Sequence, residues 1–389
     1  MRILMLSWEY PPRIVGGISR VVYDLSHGIA KKGHEVHVIT CWETGNKEYE
    51  EVGNVFVHRV QTCGVNTVNF VDWVLQLNFS MVECATRLVN NIGDFDVVHA
   101  HDWLVAFCSK TIKGAFGIPI VSTIHATEHG RNWGIHNEVQ RYINNVEQWF
   151  VDESDQVIVN SGYMKEEVKE IFSIKNENLS VIPNGIDVDK FKNVDRDVEF
   201  RKQYALDDEK IIFFVGRIVS EKGIHVLIDS VPKILEAYPE TKFVIVGKGP
   251  QLDFLRWKVE SLGIAEKIIF TGYVKDEDLA KLYKCVDVAV FPSLYEPFGI
   301  VALEGMVAGL PVVVTDVGGL SDIVEHEVDG MKAYTDNANS LADCIIKLLL
   351  NEEQAQNIKR NALEKVERLY NWSKITELTM DVYKRVSNS

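Results

Sequence analysis

The sequence predicts an α/β protein with two doubly wound domains and a cleft between them. Short runs rich in Val and Ile alternate with amphipathic stretches along most of the chain. This alternation is typical of parallel strands joined by helical crossovers, in sheets covered by helices on both faces. The texture then changes: residues 187–210 are mostly charged, and a second strand–helix series begins after them.

The first series starts with an apolar run at 2–7, followed by a Pro/Gly loop and a helical stretch over 18–32 that ends at Gly33. A strand at 34–40 completes one βαβ unit. We expect further strands at 96–102, 118–125, 156–161 and 180–183. The apolar stretch 64–89 predicts a core helix, or alternatively part of an acceptor site or a membrane contact.

The second series follows a linker and a solvated helix within 187–210. Helices are expected near 340–350 and 353–370, with a short last helix from Trp372. In the helix near 353–370, apolar side chains recur at spacings of three and four, which indicates one buried face. The expected strands are 211–216, 242–247, 267–272, 286–292 and 311–315.

Composition limits the classes of ligand. The 389 residues suit two or three domains and carry a net charge of −15. A strongly acidic chain without a local basic patch binds polyanions poorly, so nucleic acid is not an expected partner. The six cysteines include no pair at CxxC spacing, which disfavours a zinc ribbon or a redox motif.

Localisation is expected to be cytoplasmic. A chain of this size does not need disulfides, and we interpret its thiols as reduced. The apolar stretch at the N-terminus is interrupted by Glu9 and is too short for the core of a signal peptide. No run approaches the roughly 18 apolar residues of a spanning helix, although peripheral membrane contact stays open.

In doubly wound sheets, ligands bind beyond the carboxyl ends of the strands. In the first series, Gly16–Gly17 precedes a helix, which suits a phosphate or an ordinary turn. His99 and His101 share one face of a strand and predict either a metal pair or core histidines. His125 ends the next strand, where it either contacts a ligand or has a structural role.

In the second series, charged side chains follow several strands. Arg217 and Lys222 lie five positions apart across a loop and can converge on one anion, or they are two solvated cations. Gly247 begins a glycine turn after another strand. Glu296 lies in a loop, and Glu304 lies on the first turns of the helix that follows. Two carboxylates so placed can accept hydrogen bonds from hydroxyls of one sugar nucleotide, or they are a capping and a solvated carboxylate.

In order and spacing, these motifs resemble the family-4 retaining glycosyltransferases of the GT-B fold, near the bacterial and archaeal glycogen synthases and the sucrose synthases. The matching motifs span nearly the whole chain: Gly16–Gly17, 32–36, 99–103, His125, 184–187, Gly216–Arg217, 221–223, Gly247 with 249–250, Glu296 with Glu304, and Gly318–Gly319. The resemblance implies two Rossmann-like domains facing each other across a cleft. We expect an acceptor-side domain over 1–190, joined by a C-terminal helix over 371–389, and a nucleotide-sugar domain over 191–370.

The resemblance also implies roles for individual residues. Glu296 would contact the hydroxyls of the donor sugar, and Arg217 and Lys222 would neutralise the departing diphosphate. His125 would lie against the sugar, with its backbone carbonyl near the reacting carbon, while Glu304 would bind the ribose hydroxyls. The donor-binding set is Gly16, Gly17, Gly216, Gly247, Phe298, Gly299, Leu303 and Glu304.

The implied reaction is retaining transfer of a hexose, glucose, from UDP or ADP to an α-glucan. It needs no metal and no cofactor beyond the nucleotide sugar as co-substrate, because cations and amides stabilise the leaving diphosphate. No general base is assigned, since the leaving phosphate itself helps to deprotonate the acceptor. Arg13 precedes the glycine loop where bacterial glycogen synthases often carry a Lys, which leaves the donor nucleotide open.

Four alternatives remain. The first is a mannosyl- or glucosyltransferase that acts on a lipid or a small acceptor, with GDP among the possible nucleotides. The second is an epimerase of nucleotide sugars with the same architecture. The third is a metal hydrolase built around His99 and His101, and the fourth is a binding module without turnover.

Overall fold

A computed structural model of the chain describes residues 1–62, 67 and 69–387. It divides into two compact units, Met1–Gly185 with Trp372–Ser389, and Ile186–Asn371. The first boundary lies five residues before the expected 190, because Ile186 and Phe191 are buried in the core of the second unit. Residues 388–389 of the expected last helix lie outside the described part.

The first unit is built on an eight-stranded sheet with strand order β3-β4-β2-β1-β5-β6-β7-β8. Every neighbouring pair is parallel except β3 and β4. The strands are β1 (Arg2–Leu6), β2 (Glu35–Cys41), β3 (Tyr49–Val52), β4 (Val55–Val60), β5 (Val97–His101), β6 (Ile120–Ile124), β7 (Gln156–Val159) and β8 (Leu179–Val181).

The hairpin of β3 and β4 was not predicted from the sequence. β3 lies at the sheet edge and is polar and exposed, so it carries no buried-strand signal. β4 alternates buried and half-buried residues and pairs in parallel with β2, with Val55 opposite Val36. Gly53, at φ +58°, makes the turn between the two strands in a conformation that glycine adopts without strain.

Helices cover both faces of this sheet. β1 shows the division, because Ile3 and Met5 enter one core while Leu4 and Leu6 enter the other. The helices are α1 (Ile18–Lys31), α2 (Phe70–Ile92), α3 (Ala106–Phe116), α4 (Glu128–Asn132), α5 (Glu138–Glu153), α6 (Gly162–Phe172) and, from the end of the chain, α15 (Trp372–Ser387).

Helix α2 accounts for most of the apolar stretch 64–89, although Val65 and Val68 of that stretch lie outside the described residues. One face buries Val74, Leu77 and Met81 in the core, as expected of a core helix. The opposite side leaves Phe79 70% exposed. In the described part of the chain, no helix is long and apolar enough to cross a bilayer.

The second unit has a six-stranded parallel sheet with strand order β11-β10-β9-β12-β13-β14. Its strands are β9 (Lys210–Val215), β10 (Thr241–Val246), β11 (Ile268–Gly272), β12 (Val288–Phe291), β13 (Val312–Thr315) and β14 (Met331–Ala333). β14, which has three residues, was not predicted. Its helices are α7 (Val198–Arg201), α8 (Ile224–Ala237), α9 (Leu252–Ser261), α10 (Asp276–Cys285), α11 (Ile300–Val307), α12 (Gly318–Ile323), α13 (Ala338–Leu350) and α14 (Glu352–Leu369).

Both sheets are doubly wound, so each has a point where the strand order reverses. In the second unit the reversal lies between β9 and β12, and in the first it lies between β1 and β5. The loops beyond the carboxyl ends of these strands flank a crevice at which α/β proteins bind ligands. The predicted fold class is confirmed, and the candidate residues fall largely on these loops.

Candidate functional site

In the second unit, the loops that follow β9 and β12 lie against each other. Gly223, at φ +63°, brings a 3₁₀ turn over Ser220–Lys222 so close to β12 that an added Cβ would lie 1.9 Å from the carbonyl oxygen of Pro292. The amide of Leu294 donates to the carbonyl of Glu221 at 2.8 Å. Backbone contacts therefore hold the end of the first loop against the start of the second.

This contact brings Lys222 to Glu296. Lys222 Nζ lies 2.6 Å from Glu296 Oε2, and the hydroxyl of Ser293 lies 3.3 Å from the same oxygen. The two side chains are only 18% and 10% exposed. A mostly buried pair of this kind is oriented more firmly than a surface ion pair. The residues expected at the diphosphate and at the donor sugar are thus direct neighbours.

A pair of glycines supports the loop that carries Glu296. A Cβ at Gly318 would lie 2.1 Å from the carbonyl oxygen of Glu296, and one at Gly319 would lie 2.5 Å from Phe298 Cα. The amide of Gly319 donates to the Glu296 carbonyl at 2.8 Å. Because no larger residue fits, these glycines serve the packing of the loop. Gly299, at φ +107°, is the N-cap of α11.

Glu304 is buried on α11, and a donor contacts each of its carboxylate oxygens. Lys190 Nζ lies 2.5 Å from Oε1, and the hydroxyl of Tyr283 donates to Oε2 at 3.0 Å. Lys190 lies in the segment that the sequence suggested was a solvated linker, and it reaches Glu304 across 114 positions of the chain. The solvated-helix interpretation of Glu304 is wrong, since only 4% of this residue is exposed.

The remaining donor-side candidates have mixed environments. Arg217 is 58% exposed and lies 3.3 Å from Glu221 in the turn that carries Lys222. Leu303 is fully buried, and Phe298 is nearly so. The absence of a side chain at Gly247 has a structural reason, because an added Cβ would lie 1.8 Å from the carbonyl oxygen of Gly216. Contacts of these residues with a donor stay predictions.

In the first unit, a buried carboxylate organises the glycine loop after β1. Glu9 Oε2 accepts hydrogen bonds from the amides of Val15 and Gly16, at 2.7 and 2.8 Å. Burial raises the pKa of Glu9, against the opposing effect of these two amides. Gly17 follows as the N-cap of α1. The amide of Gly16, a member of the expected donor-binding set, therefore has a partner inside the protein in this conformation.

His125 lies in a chain of buried hydrogen bonds. Asn160 Nδ2 lies 3.1 Å from His125 Nδ1, and His125 Nε2 lies 3.1 Å from His101 Nδ1. Since the amide nitrogen can only donate, His125 Nδ1 accepts and Nε2 carries the proton. The backbone amide of His125 donates to Asp102 Oδ1 at 2.7 Å. Burial lowers the pKa of His125, partly offset by the Asp102 carboxylate.

Because both ring nitrogens of His125 are engaged, its ring serves the protein in this conformation. The implied role of its backbone carbonyl needs neither nitrogen. His99 and His101, the candidate metal pair, are buried in the same region. His99 lies 2.6 Å from the hydroxyl of Tyr383 and 2.7 Å from that of Thr123. Among the described residues, no group of three or more His, Cys, Asp or Glu side chains is placed to hold a metal ion.

Two family models match the chain. The model described as Glycosyltransferase Family 4 matches residues 15–190, and the model described as Glycosyl transferases group 1 matches residues 195–365. An uncharacterized glycosyltransferase of Methanocaldococcus jannaschii is 40% identical, over 99% of this chain and 98% of its own length. The chain belongs to the family-4 glycosyltransferases.

Further relatives agree with this assignment. A glycogen synthase of Mycobacterium tuberculosis is 33% identical, over 98% of this chain and 94% of its own length. Among solved structures, the sucrose-phosphate synthase of Thermosynechococcus elongatus shares the fold, with a TM-score of 0.84 and 24% identity over 99% of this chain and 98% of that one. The expected resemblance to GT-B glycosyltransferases is confirmed.

Several residues that shape the candidate site of this glycosyltransferase were assigned no role from the sequence. Asp102 and Asn160 both follow strands of the first sheet, so the strand-end rule that identified His125 was sufficient to find them. Glu9 also follows a strand, three residues after the end of β1, whereas Lys190 and Tyr283 carry no comparable signal. Their importance depends on contacts between segments whose approach no local pattern specifies.

Proposed function

We propose that the protein is a retaining hexosyltransferase that moves glucose from UDP-glucose or ADP-glucose to an α-glucan. The supporting observation is the ion pair of Lys222 with Glu296, which lies where the strand order of the second sheet reverses. The buried Glu304 follows on the first turns of the next helix, α11. The similarity to a glycogen synthase over nearly the whole chain supports a glucan as acceptor.

The proposed chemistry uses opposite charges that are already oriented. Glu296 binds hydroxyls of the donor sugar, and Glu304 binds the ribose. Lys222 and Arg217 stabilise the negative charge that develops on the diphosphate as the glycosidic bond breaks. When the donor binds, Lys222 exchanges part of its contact with Glu296 for the diphosphate, and the reaction needs no divalent metal.

The nucleotide is proposed from chemistry shared by proteins of this fold. An Anabaena protein that is 20% identical, with a TM-score of 0.78, was solved in complex with UDP-glucose. A starch synthase of Arabidopsis thaliana that is 17% identical, with a TM-score of 0.76, was solved with ADP and acarbose. We therefore propose uridine and adenine nucleotides as the first donors to test.

Transfer to a small or lipid acceptor is the second candidate function. A relative from Catenulispora acidiphila, 27% identical over 95% of this chain, is named D-inositol 3-phosphate glycosyltransferase 2. For a lipid acceptor, the exposed Phe79 of α2 would be the residue that contacts the membrane. This candidate shares the proposed donor chemistry and differs only in the acceptor.

The test is release of nucleoside diphosphate from UDP-glucose, ADP-glucose and GDP-mannose, each with and without glycogen. Glycogen-stimulated release from one glucose donor is the expected result, and the anomeric configuration of the new linkage, read by NMR, tests retention. Release that ignores glycogen favours the small or lipid acceptors. Absence of release from every donor contradicts the proposal.

A further inference from the structure

Lys190 and Tyr283 together fix the carboxylate that we propose for the ribose. The ammonium of Lys190 lies 2.5 Å from one oxygen of Glu304, and the hydroxyl of Tyr283 lies 3.0 Å from the other. We propose that Lys190 is a positioning residue through which the site distinguishes ribonucleotides from deoxyribonucleotides. This inference rests on the proposed function of Glu304.

The pair differs from the surface ion pairs of the chain. The Glu304 side chain is 6% exposed and that of Lys190 is 25% exposed. By contrast Lys192, two residues later, is 72% exposed and pairs with an equally exposed Asp189 at a spacing of three. A pair of the latter kind contributes little to stability or orientation, whereas removing one partner of a buried pair leaves an uncompensated charge.

Aromatic packing fixes the two donors relative to each other. Lys190 Nζ lies 5.4 Å from the ring centroid of Phe191, and that ring lies 5.1 Å from the ring of Tyr283. Tyr283 in turn meets Phe213 of β9 at 5.0 Å, edge to face. The cation and the hydroxyl therefore belong to one buried aromatic cluster, which limits the positions that the carboxylate can adopt.

The geometry suits a pair of neighbouring hydroxyls. An ionised carboxylate offers about four lone-pair positions on its two oxygens. An oxygen that already accepts from Lys190 or Tyr283 can accept a second hydrogen bond. The 2′- and 3′-hydroxyls of a ribose present two donors side by side. Without Lys190, the carboxylate loses the contact that fixes Oε1 and can turn away from the diol.

The experiment measures the affinity ratio between matched nucleotides by calorimetry on the full chain. The ligands are UDP with 2′-deoxy-UDP, and ADP with 2′-deoxy-ADP. The variants are Lys190→Met, which keeps the length of the side chain without its charge, Lys190→Arg, which keeps the charge, and Tyr283→Phe. Lys192→Met is the matched control, since it removes an exposed charge two residues away.

We expect the wild type and Lys192→Met to prefer the ribonucleotide by roughly tenfold or more, as a hydrogen bond to a charged group allows. Lys190→Met should lower this preference to about threefold or less, with Tyr283→Phe intermediate and Lys190→Arg close to wild type. The ratio is insensitive to partial misfolding, because misfolded protein binds neither nucleotide.

The outcomes separate this proposal from the function on which it rests. If the wild type prefers the ribonucleotide and Lys190→Met shows the same affinity ratio, the role of Lys190 is overturned and that of Glu304 stays intact. A wild type that binds both nucleotides of a pair equally well overturns the ribose role of Glu304 and this inference with it. Loss of binding of both nucleotides by the same factor in Lys190→Met also counts against positioning.

Discussion

The ion pair between Lys222 and Glu296 should contribute both to the stability of the second unit and to catalysis, and the two contributions can be measured separately. Removal of one partner costs about 0–1 kcal/mol for an exposed ion pair and about 3–5 kcal/mol for a buried one. The two side chains here are 18% and 10% exposed. We therefore expect Lys222→Met to lower the free energy of unfolding by about 2 kcal/mol, between these limits.

For a unit of the size of Ile186–Asn371, this loss corresponds to a fall in Tm of about 4–8 °C. Glu296→Gln should lose somewhat less, because its remaining carbonyl oxygen still accepts from Ser293. The double variant should regain part of the stability, since neither buried charge is then left alone.

The activity of the double variant should not recover in the way that its stability does. Loss of one preorganised group that stabilises transition-state charge lowers kcat about 10²- to 10³-fold, and the double variant should be no more active than either single one. The assay is donor-dependent release of nucleoside diphosphate, alongside thermal unfolding, with Lys222→Arg to retain the charge and Lys192→Met as an exposed control. A near-normal kcat in Lys222→Met, or recovery of activity together with stability in the double variant, would refute the proposed role.

Three further predictions concern other parts of the molecule. Activity should survive EDTA, because cations and amides stabilise the leaving group; strict dependence on a divalent ion, restored by its addition, would contradict this. Burial raises the pKa of Glu147 to about 8 from its ordinary 4.5, so the folded state holds a proton that the unfolded chain has released. Stability should therefore fall by about 3–5 kcal/mol as pH rises through this interval, and Glu147→Gln should unfold at a higher temperature than wild type at pH 8 but not at pH 4.5. An unchanged pH profile in this variant would count against the shift. Glu9→Ala removes the acceptor of two loop amides and should raise the donor KM about tenfold, as the loss of two hydrogen bonds allows. Glu9→Gln keeps a carbonyl acceptor and should stay near wild type; equal effects of both substitutions would point to the charge instead.

The candidate site was partly accessible from sequence because of one property of parallel sheets. Their strands end at the same edge, so residues that follow strands gather there even when they are distant in the chain. This rule led to His125, Lys222 and Glu296 before any contact was known. It led equally to His99 and His101, whose side chains turned out to be hydrogen-bonded inside the first unit.

The partners of those residues were not accessible in the same way. Lys190 lies nine residues after β8, and its charged neighbours resemble those of any solvated linker. Glu9 looked like part of a loop, yet its carboxylate holds the glycine turn from within. Gly247 suggested close approach of a ligand, whereas the backbone of Gly216 occupies the space that its missing side chain leaves.

The sequence by itself determined the fold class, the order of most strands and helices, and the edges at which chemistry is expected. These follow from local periodicity and turn residues, which each segment carries independently of the others. Only the tertiary structure decided which charges are paired, which amides already have acceptors, and that the segment around Lys190 belongs to the second unit. Pairing and burial depend on distances between segments far apart in the chain, and in a packed interior these distances are set by all the side chains together.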